Sequence, residues 1–125
     1  MFGDRALQQI SNPRNEGRHE TATHVGRAGL RGDGPYIYLW FTLRDGTVTK
    51  ASYECNGCPS SIACAGLLSE IAKGRDFNCL KELTSQELLL LLGGLPEGKG
   101  YYADLAISAL ANTSDILEDD HAHYR

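Results

Sequence analysis

One short motif, Cys55-Asn56-Gly57-Cys58-Pro59, marks a change in the hydrophobic period of the chain, and that change constrains the fold more than any other feature. Before it the chain reads as strands. Tyr36–Leu43 is rich in aromatic and β-branched residues. Arg44-Asp45-Gly46-Thr47 carries the Asp-Gly pair of a tight hairpin. Thr47–Cys55 alternates as the return strand, with Val48, Ala51 or Tyr53 on its inner face. After the motif, Ile62, Leu67, Leu68 and Ile71 recur at helical spacing. Pro59 suits a first helical turn and Gly74 a stop.

The flanking segments complete the outline. A short helix is expected from Asp4 to Ile10 with Asp4 as its cap, then a turn or extended loop over Asn12–Gly17, because Pro13 biases Asn12 away from helix. A short strand is expected over Thr23–Leu30, followed by an irregular Gly-rich loop. Thr84 and Glu87 form a capping box that opens a helix through Leu92, ended by Gly93-Gly94. The last helix runs from about Gly100 to Ala111 and buries Leu105, Ala106, Ala109 and Leu110. Asp115–Leu117 extends it or adds a turn, and the polar tail Glu118–Arg125 frays. Strands followed by helices imply an α+β fold, a small antiparallel sheet of about three strands packed on one face by helices. We expect a single domain over 1–125 with a flexible N-terminal segment.

Composition excludes several classes of function. A net charge of −4 gives no broad electrostatic footprint for nucleic acid. No uninterrupted apolar run approaches the ~20 residues that cross a bilayer. The first residues show no basic stretch followed by an apolar one, so the expected location is the cytoplasm, where four thiols stay reduced and spaced cysteines serve metal or redox chemistry.

Cys58 is the principal candidate. At the start of a helix, free amides and the positive dipole end favour a thiolate, the form that binds metal, accepts sulfur or attacks a disulfide. Cys55 shares its motif. Cys64 lies six positions on, about 240° around the helix. Cys79 falls in a loop, and small core thiols are the plainer reading of Cys64 and Cys79. A single Cys-x-x-Cys supplies two of the four ligands of a closed zinc site. His19, His24, His121 and His123 read as solvated loop residues, and Asp33 as a turn residue whose carboxylate can face Cys58. Tyr101-Tyr102 read as packing or hydrogen-bonding aromatics. The run Leu88–Leu92 is core, or a patch for a partner.

Several motifs, in order, resemble the IscU/NifU N-terminal family of iron–sulfur cluster assembly scaffolds. They are Asn12-Pro13-Arg14-Asn15 followed by Gly17, the stretch Tyr53–Ala63 centred on Asn56-Gly57-Cys58, Leu95-Pro96-Glu97-Gly98-Lys99, and Leu105-Ala106. The resemblance spans Ala6 to Leu117. It implies a scaffold rather than an enzyme, with Cys58 as sulfur acceptor and ligand, a cysteine desulfurase as sulfur donor, and iron, an iron–sulfur cluster or zinc as the bound metal. Leu95–Lys99 resembles the segment that a dedicated Hsp70 chaperone recognises in some members. The family carries three ligating cysteines, with an Asp after the first and usually a His before the third. Here the first loop has no Cys and offers only Asp33, and Tyr101-Tyr102 replace the His–Cys pair. The ligands available from one chain are Cys58, Cys55, Cys64 and Asp33, and a homodimer sharing a cluster is the alternative source. Two other readings stand beside the scaffold: a metal-free interaction module in a larger assembly, and a thiol redox protein using Cys55 and Cys58.

Overall fold

A computed structural model of the protein describes residues 1–117; the tail at 118–125, with His121 and His123, lies outside the described residues. Helix α1 (Asp4–Ser11) precedes strands β1 (His24–Gly29), β2 (Tyr36–Arg44) and β3 (Thr47–Cys55). Helices α2 (Pro59–Ala72), α3 (Phe77–Leu80), α4 (Ser85–Leu92) and α5 (Tyr101–Ala111) follow, and β4 (Ser114–Asp115) closes the order. The sheet runs β3-β2-β1-β4 and is antiparallel throughout. The α+β expectation is met, with a fourth strand in place of the expected three. Of Asp115–Leu117, expected to extend the last helix or add a turn, Asp115 pairs with β1 instead, opposite His24, with Ser114 opposite Val25.

The Asp-Gly hairpin forms as expected, with both Asp45 and Gly46 at positive φ (53° and 80°), the conformation a tight hairpin needs. A register shift at Thr42/Leu43 inserts Thr49 into β3. That bulge puts Val48 on the same buried side as Ala51 and Tyr53, although the spacing is odd. Central strand β2 is buried on both faces. Ile37, Leu39 and Phe41 join the main core beneath the helices, while Tyr36, Tyr38 and Trp40 form a second cluster with Val25, covered by Ala22 and Ile116. The segment before β1 lies along the β3 edge: Gly17 N–H donates to the Tyr53 carbonyl, and Tyr53 N–H to that of Asn15. The Asn-Pro-Arg-Asn motif thus caps the outer strand and blocks edge pairing.

Helix α2 is buried on nearly every side. Small residues (Ser60, Ser61, Ala63, Ala65, Gly66, Ser69, Ala72) let it approach the sheet and its neighbouring helices closely, and Leu67 and Leu68 fill the remaining space. Helix α5 packs equally closely on β1. A Cβ at Gly26 would lie 2.0 Å from the Ala109 carbonyl oxygen.

Four local expectations are corrected. Gly3, not Asp4, caps α1; Asp4 sits in its first turn, and Gly3 is held by a bond from its N–H to the Gly94 carbonyl. Cys79 lies in α3, a four-residue helix whose Asp76 cap accepts from the Cys79 N–H, and its side chain is exposed rather than in the core. His24 lies in β1. His19 is buried, with Nδ1 on Ser52 Oγ (2.7 Å) and Nε2 on Thr42 Oγ1 (2.8 Å), so it ties β3 to β2 across the second face. The run Leu88–Leu92 divides: Leu88 and Leu92 enter the core, and Leu90 stays exposed.

Burial, then Lys50 and Lys73, holds the His19 imidazole below its ordinary value. A neutral His19 therefore contributes stability that is complete above about pH 6.5 and is lost as pH falls through the folded-state value. His19→Gln is expected to flatten the fall in urea-unfolding free energy between neutral and mildly acidic pH. A slope equal to that of the wild type would refute this assignment. Gly26→Ala is expected to lower the unfolding free energy by about 1–3 kcal/mol, read from the urea midpoint, because a backbone carbonyl cannot yield to the new methyl.

Candidate functional site

Cys58 is the N-cap of α2, at φ −63° and ψ 136°, with Pro59 opening the helix. A strand ending at Cys55 and a helix starting at Pro59 leave only Asn56 and Gly57 between the two thiols' backbones and the cap. Gly57 takes φ +83°, which an L side chain rarely adopts. Cys55 and Cys58 are half-buried and Cys64 is fully buried; none of the three is in a disulfide.

The electrostatics separate the three thiols. Partial burial works against ionisation of Cys58. The backbone N–H of Ser60, a hydrogen bond from the Tyr102 hydroxyl, the N–H of Ser61 and the charge of Lys99 outweigh it, so the thiol is held below the usual cysteine value. Burial pushes Cys55 up, with Glu16 and Cys58 adding to it, against support from the Ser61 hydroxyl and the Gly57 N–H. Burial pushes Cys64 up to about 12, so it stays a neutral core thiol at physiological pH. The helix-start expectation for Cys58 therefore holds, and the amides involved are those of the first turn.

Two contributors to the site come from far along the chain. Tyr102, in the first turn of α5, is 3% exposed and stacks on Tyr101 at 4.4 Å between ring centroids. Its hydroxyl accepts from Asn56 Nδ2 at 3.2 Å. Burial and the Tyr101 hydrogen bond hold the Tyr102 phenol above its ordinary value, and its interaction with Cys58 acts in the same direction, so the phenol keeps its proton beside the thiol. Lys99 sits just before α5, where its carbonyl accepts from Tyr102 N–H. Sequence reading treated Tyr102 as a packing or hydrogen-bonding aromatic and gave Lys99 no role at the thiol. The available signal was the place of Tyr101-Tyr102, where the resembling family carries its His–Cys pair.

The expected one-chain ligand set does not assemble. Among the described residues, no three His, Cys, Asp or Glu side chains are grouped so as to hold a metal ion. The helical turn that separates Cys64 from Cys58 sends Cys64 into the core. Asp33 is exposed in the loop between β1 and β2, its N–H bonded to the Leu30 carbonyl. That loop is at the Cys55 end of the sheet, since Tyr36 pairs with Gly29 and Ile37 with Cys55. It is tied down by Arg31, whose guanidinium binds the Glu54 carboxylate, and Glu54 also accepts from Tyr36 Oη at 2.7 Å. Asp33 takes no part in that contact.

An antiparallel sheet feeding a buried helix with an activated thiol at its start defines a thiol-based sulfur or metal handling domain. The family model for the NifU-like N terminal domain matches residues 1–116, and the chain belongs to that family. It is 30% identical over 110 residues to the iron-sulfur cluster assembly scaffold protein IscU 1 of Archaeoglobus fulgidus, covering 88% of this chain and 72% of the relative. It is 35% identical over 106 residues to the nitrogen fixation protein NifU of Cereibacter sphaeroides, covering 85% of this chain and 43% of that longer one. The fold is shared with the crystal structure of a putative iron-sulfur cluster assembly scaffold protein for the SUF system from Fervidobacterium islandicum AW-1. That comparison has a TM-score of 0.63 at 15% identity and covers 88% of this chain and 93% of that one.

Tyr102→Phe removes one donor to the Cys58 thiolate and leaves the ring packing in place. The midpoint of the pH profile for iodoacetamide alkylation of Cys58, followed by peptide mapping, is expected to rise by up to about one unit. An unmoved midpoint would remove Tyr102 from the site.

Proposed function

We propose that the protein is a divergent scaffold of iron–sulfur cluster assembly, which accepts sulfur on Cys58 and holds iron or a nascent cluster there as cargo. The observation that carries this reading is the Cys58 thiol at the start of α2, held below its usual value by two backbone amides, the Tyr102 hydroxyl and Lys99. Its setting supports the reading too, since the chain belongs to the NifU-like N terminal domain family and relatives such as IscU 1 of Archaeoglobus fulgidus are named as iron-sulfur cluster assembly scaffold proteins.

The chemistry follows from thiolate character. A thiolate attacks the terminal sulfur of a donor persulfide and takes it over as its own persulfide, while the donor leaves as a thiolate. A cysteine desulfurase breaks the carbon–sulfur bond, so this chain is a carrier and not an enzyme. A cluster takes about four ligands, mostly thiolates. With Cys64 in the core and Asp33 outside any ligand group, the Cys55–Cys58 pairs of two chains supply four thiolates, which makes a homodimer the loaded form. Zinc, which also takes thiolates, competes for the same pair. The Leu95–Lys99 segment, with Leu95 half-buried against the core, is the surface for an Hsp70-type chaperone. The reading puts the work in a cytoplasm-like compartment, where thiols such as these stay reduced. No helix among the described residues is long and apolar enough to cross a membrane.

Anaerobic reconstitution with ferrous iron and sulfide tests the reading. The wild type is expected to gain visible-region absorption and iron near stoichiometry, and to elute as a dimer when loaded. Cys58→Ser is expected to lose both signals with its far-ultraviolet circular dichroism unchanged. Equal loading of the variant and the wild type, or no loading of either, would reject Cys58 as the carrier. The second outcome would leave a metal-free interaction module.

A further inference from the structure

Cys55 has no role in accepting sulfur, yet it ends β3 beside the acceptor. The two thiols are separated by two residues, and Cys58 bears on the charge of Cys55. The Ser61 N–H supports Cys58, and the Ser61 hydroxyl donates to the Cys58 carbonyl at 2.7 Å, which fixes the cap beside the end of β3. Gly57, at φ +83°, turns the chain sharply between the two cysteines, and its N–H supports Cys55. Cysteines three apart across such a linker are within the span of a disulfide. Both thiols are half-buried, and the segment at Asn15–Gly17 pairs with Tyr53, two residues before Cys55.

We propose that Cys55 is a resolving thiol that releases sulfide from a persulfide carried on Cys58. This rests on the scaffold reading only for the source of the persulfide. The Cys55 thiolate attacks Cys58 Sγ, the inner sulfur. The Cys55–Cys58 sulfur–sulfur bond forms, the bond from Cys58 Sγ to the terminal sulfur breaks, and that sulfur leaves with the electron pair as hydrosulfide. The sulfane sulfur is reduced by two electrons, and the two cysteine thiolates are oxidised to the disulfide. A dithiol reductant of the thioredoxin class then returns the pair to thiols. The first cysteine of the motif is thus the resolver and the second the acceptor, the reverse of the order in which the first cysteine attacks. The domain then supplies its own reductant for the first turnover and delivers sulfide, the oxidation state a cluster requires, and the pair is free to hold iron once it is reduced again.

The attack can be tested without any sulfur donor. Cys79→Ser removes the exposed thiol and serves as the background. One equivalent of 5,5′-dithiobis(2-nitrobenzoate) is added, and the thionitrobenzoate anion released is followed with time. With Cys55 present, two anions per protein are expected. The second appears at a rate independent of reagent concentration, and peptide mapping finds the Cys55–Cys58 disulfide. With Cys55→Ser, and again with Cys55→Ala, one anion is expected and the mixed disulfide on Cys58 persists. A second arm loads Cys58 with inorganic polysulfide and measures sulfide; release is expected to be at least about tenfold faster with Cys55 than without it, as intramolecular attack allows. A mixed disulfide as long-lived with Cys55 as without it would overturn the assignment. The scaffold reading would still stand, because it is judged separately by iron loading and the Cys58→Ser variant.

Discussion

The burial of α2 is the constraint on which the remaining structure depends. Apart from Leu67 and Leu68, the buried residues of this helix are small and have little hydrophobic area to hold it in place. It is instead fixed by close approach: to β3 and β2 on one side, to α1 through Gln9 and Gly66, and to α4 and α5 on the others. Gln9 Nε2 donates to Glu70 on the same helix. Because the helix cannot shift, its N-terminus meets the end of β3 in one geometry, and the Ser60 and Ser61 amides aim at one sulfur. A thiolate stabilised by fixed amides needs no rearrangement of its surroundings when it forms, which is the property a sulfur acceptor uses.

The second half of the site arrives with α5. Close packing of that helix at Gly26 sets its distance from the sheet, and its first turn then places Tyr102 beside Cys58 and brings Lys99 within electrostatic reach. In the resembling family a His–Cys pair stands at the Tyr101-Tyr102 position. A phenol that keeps its proton supports the Cys58 thiolate by donating to it, whereas a thiol there would be a ligand. The change therefore moves the site from a ligand cage built by one chain towards a single activated sulfur with a neighbouring thiol. The absence of any three-ligand group among the described residues agrees with that shift.

Much of the architecture was legible because the elements that dominate it obey simple periods. The aromatic and β-branched run at 36–43, the Asp-Gly turn, the Thr84–Glu87 capping box and the stop at Gly93 are local signals with local causes, and each forms where expected. What was missed has no periodic local pattern. β4 is two residues long and exists only by pairing with β1. α3 spans four residues, too few for a periodic pattern, and rests on the Asp76 cap. His19 looked solvated because its neighbours in the chain are polar; its burial comes from hydroxyls on β2 and β3.

The candidate site divides in the same way. The amino-acid order alone determined that a thiol would cap a helix at Cys58, that Cys55 would stand beside it, and that the usual third thiol is absent, because each is set by residue type at adjacent positions or by a motif. Only the tertiary structure decided that Cys64 is core, that Asp33 joins no ligand group, and that Tyr102 and Lys99 activate Cys58. Asn56 and Tyr102 are 46 positions apart and meet only when α5 closes over the sheet. Hydrogen bonding and desolvation act over a few ångströms of space rather than along the chain, so their partners are fixed only by packing.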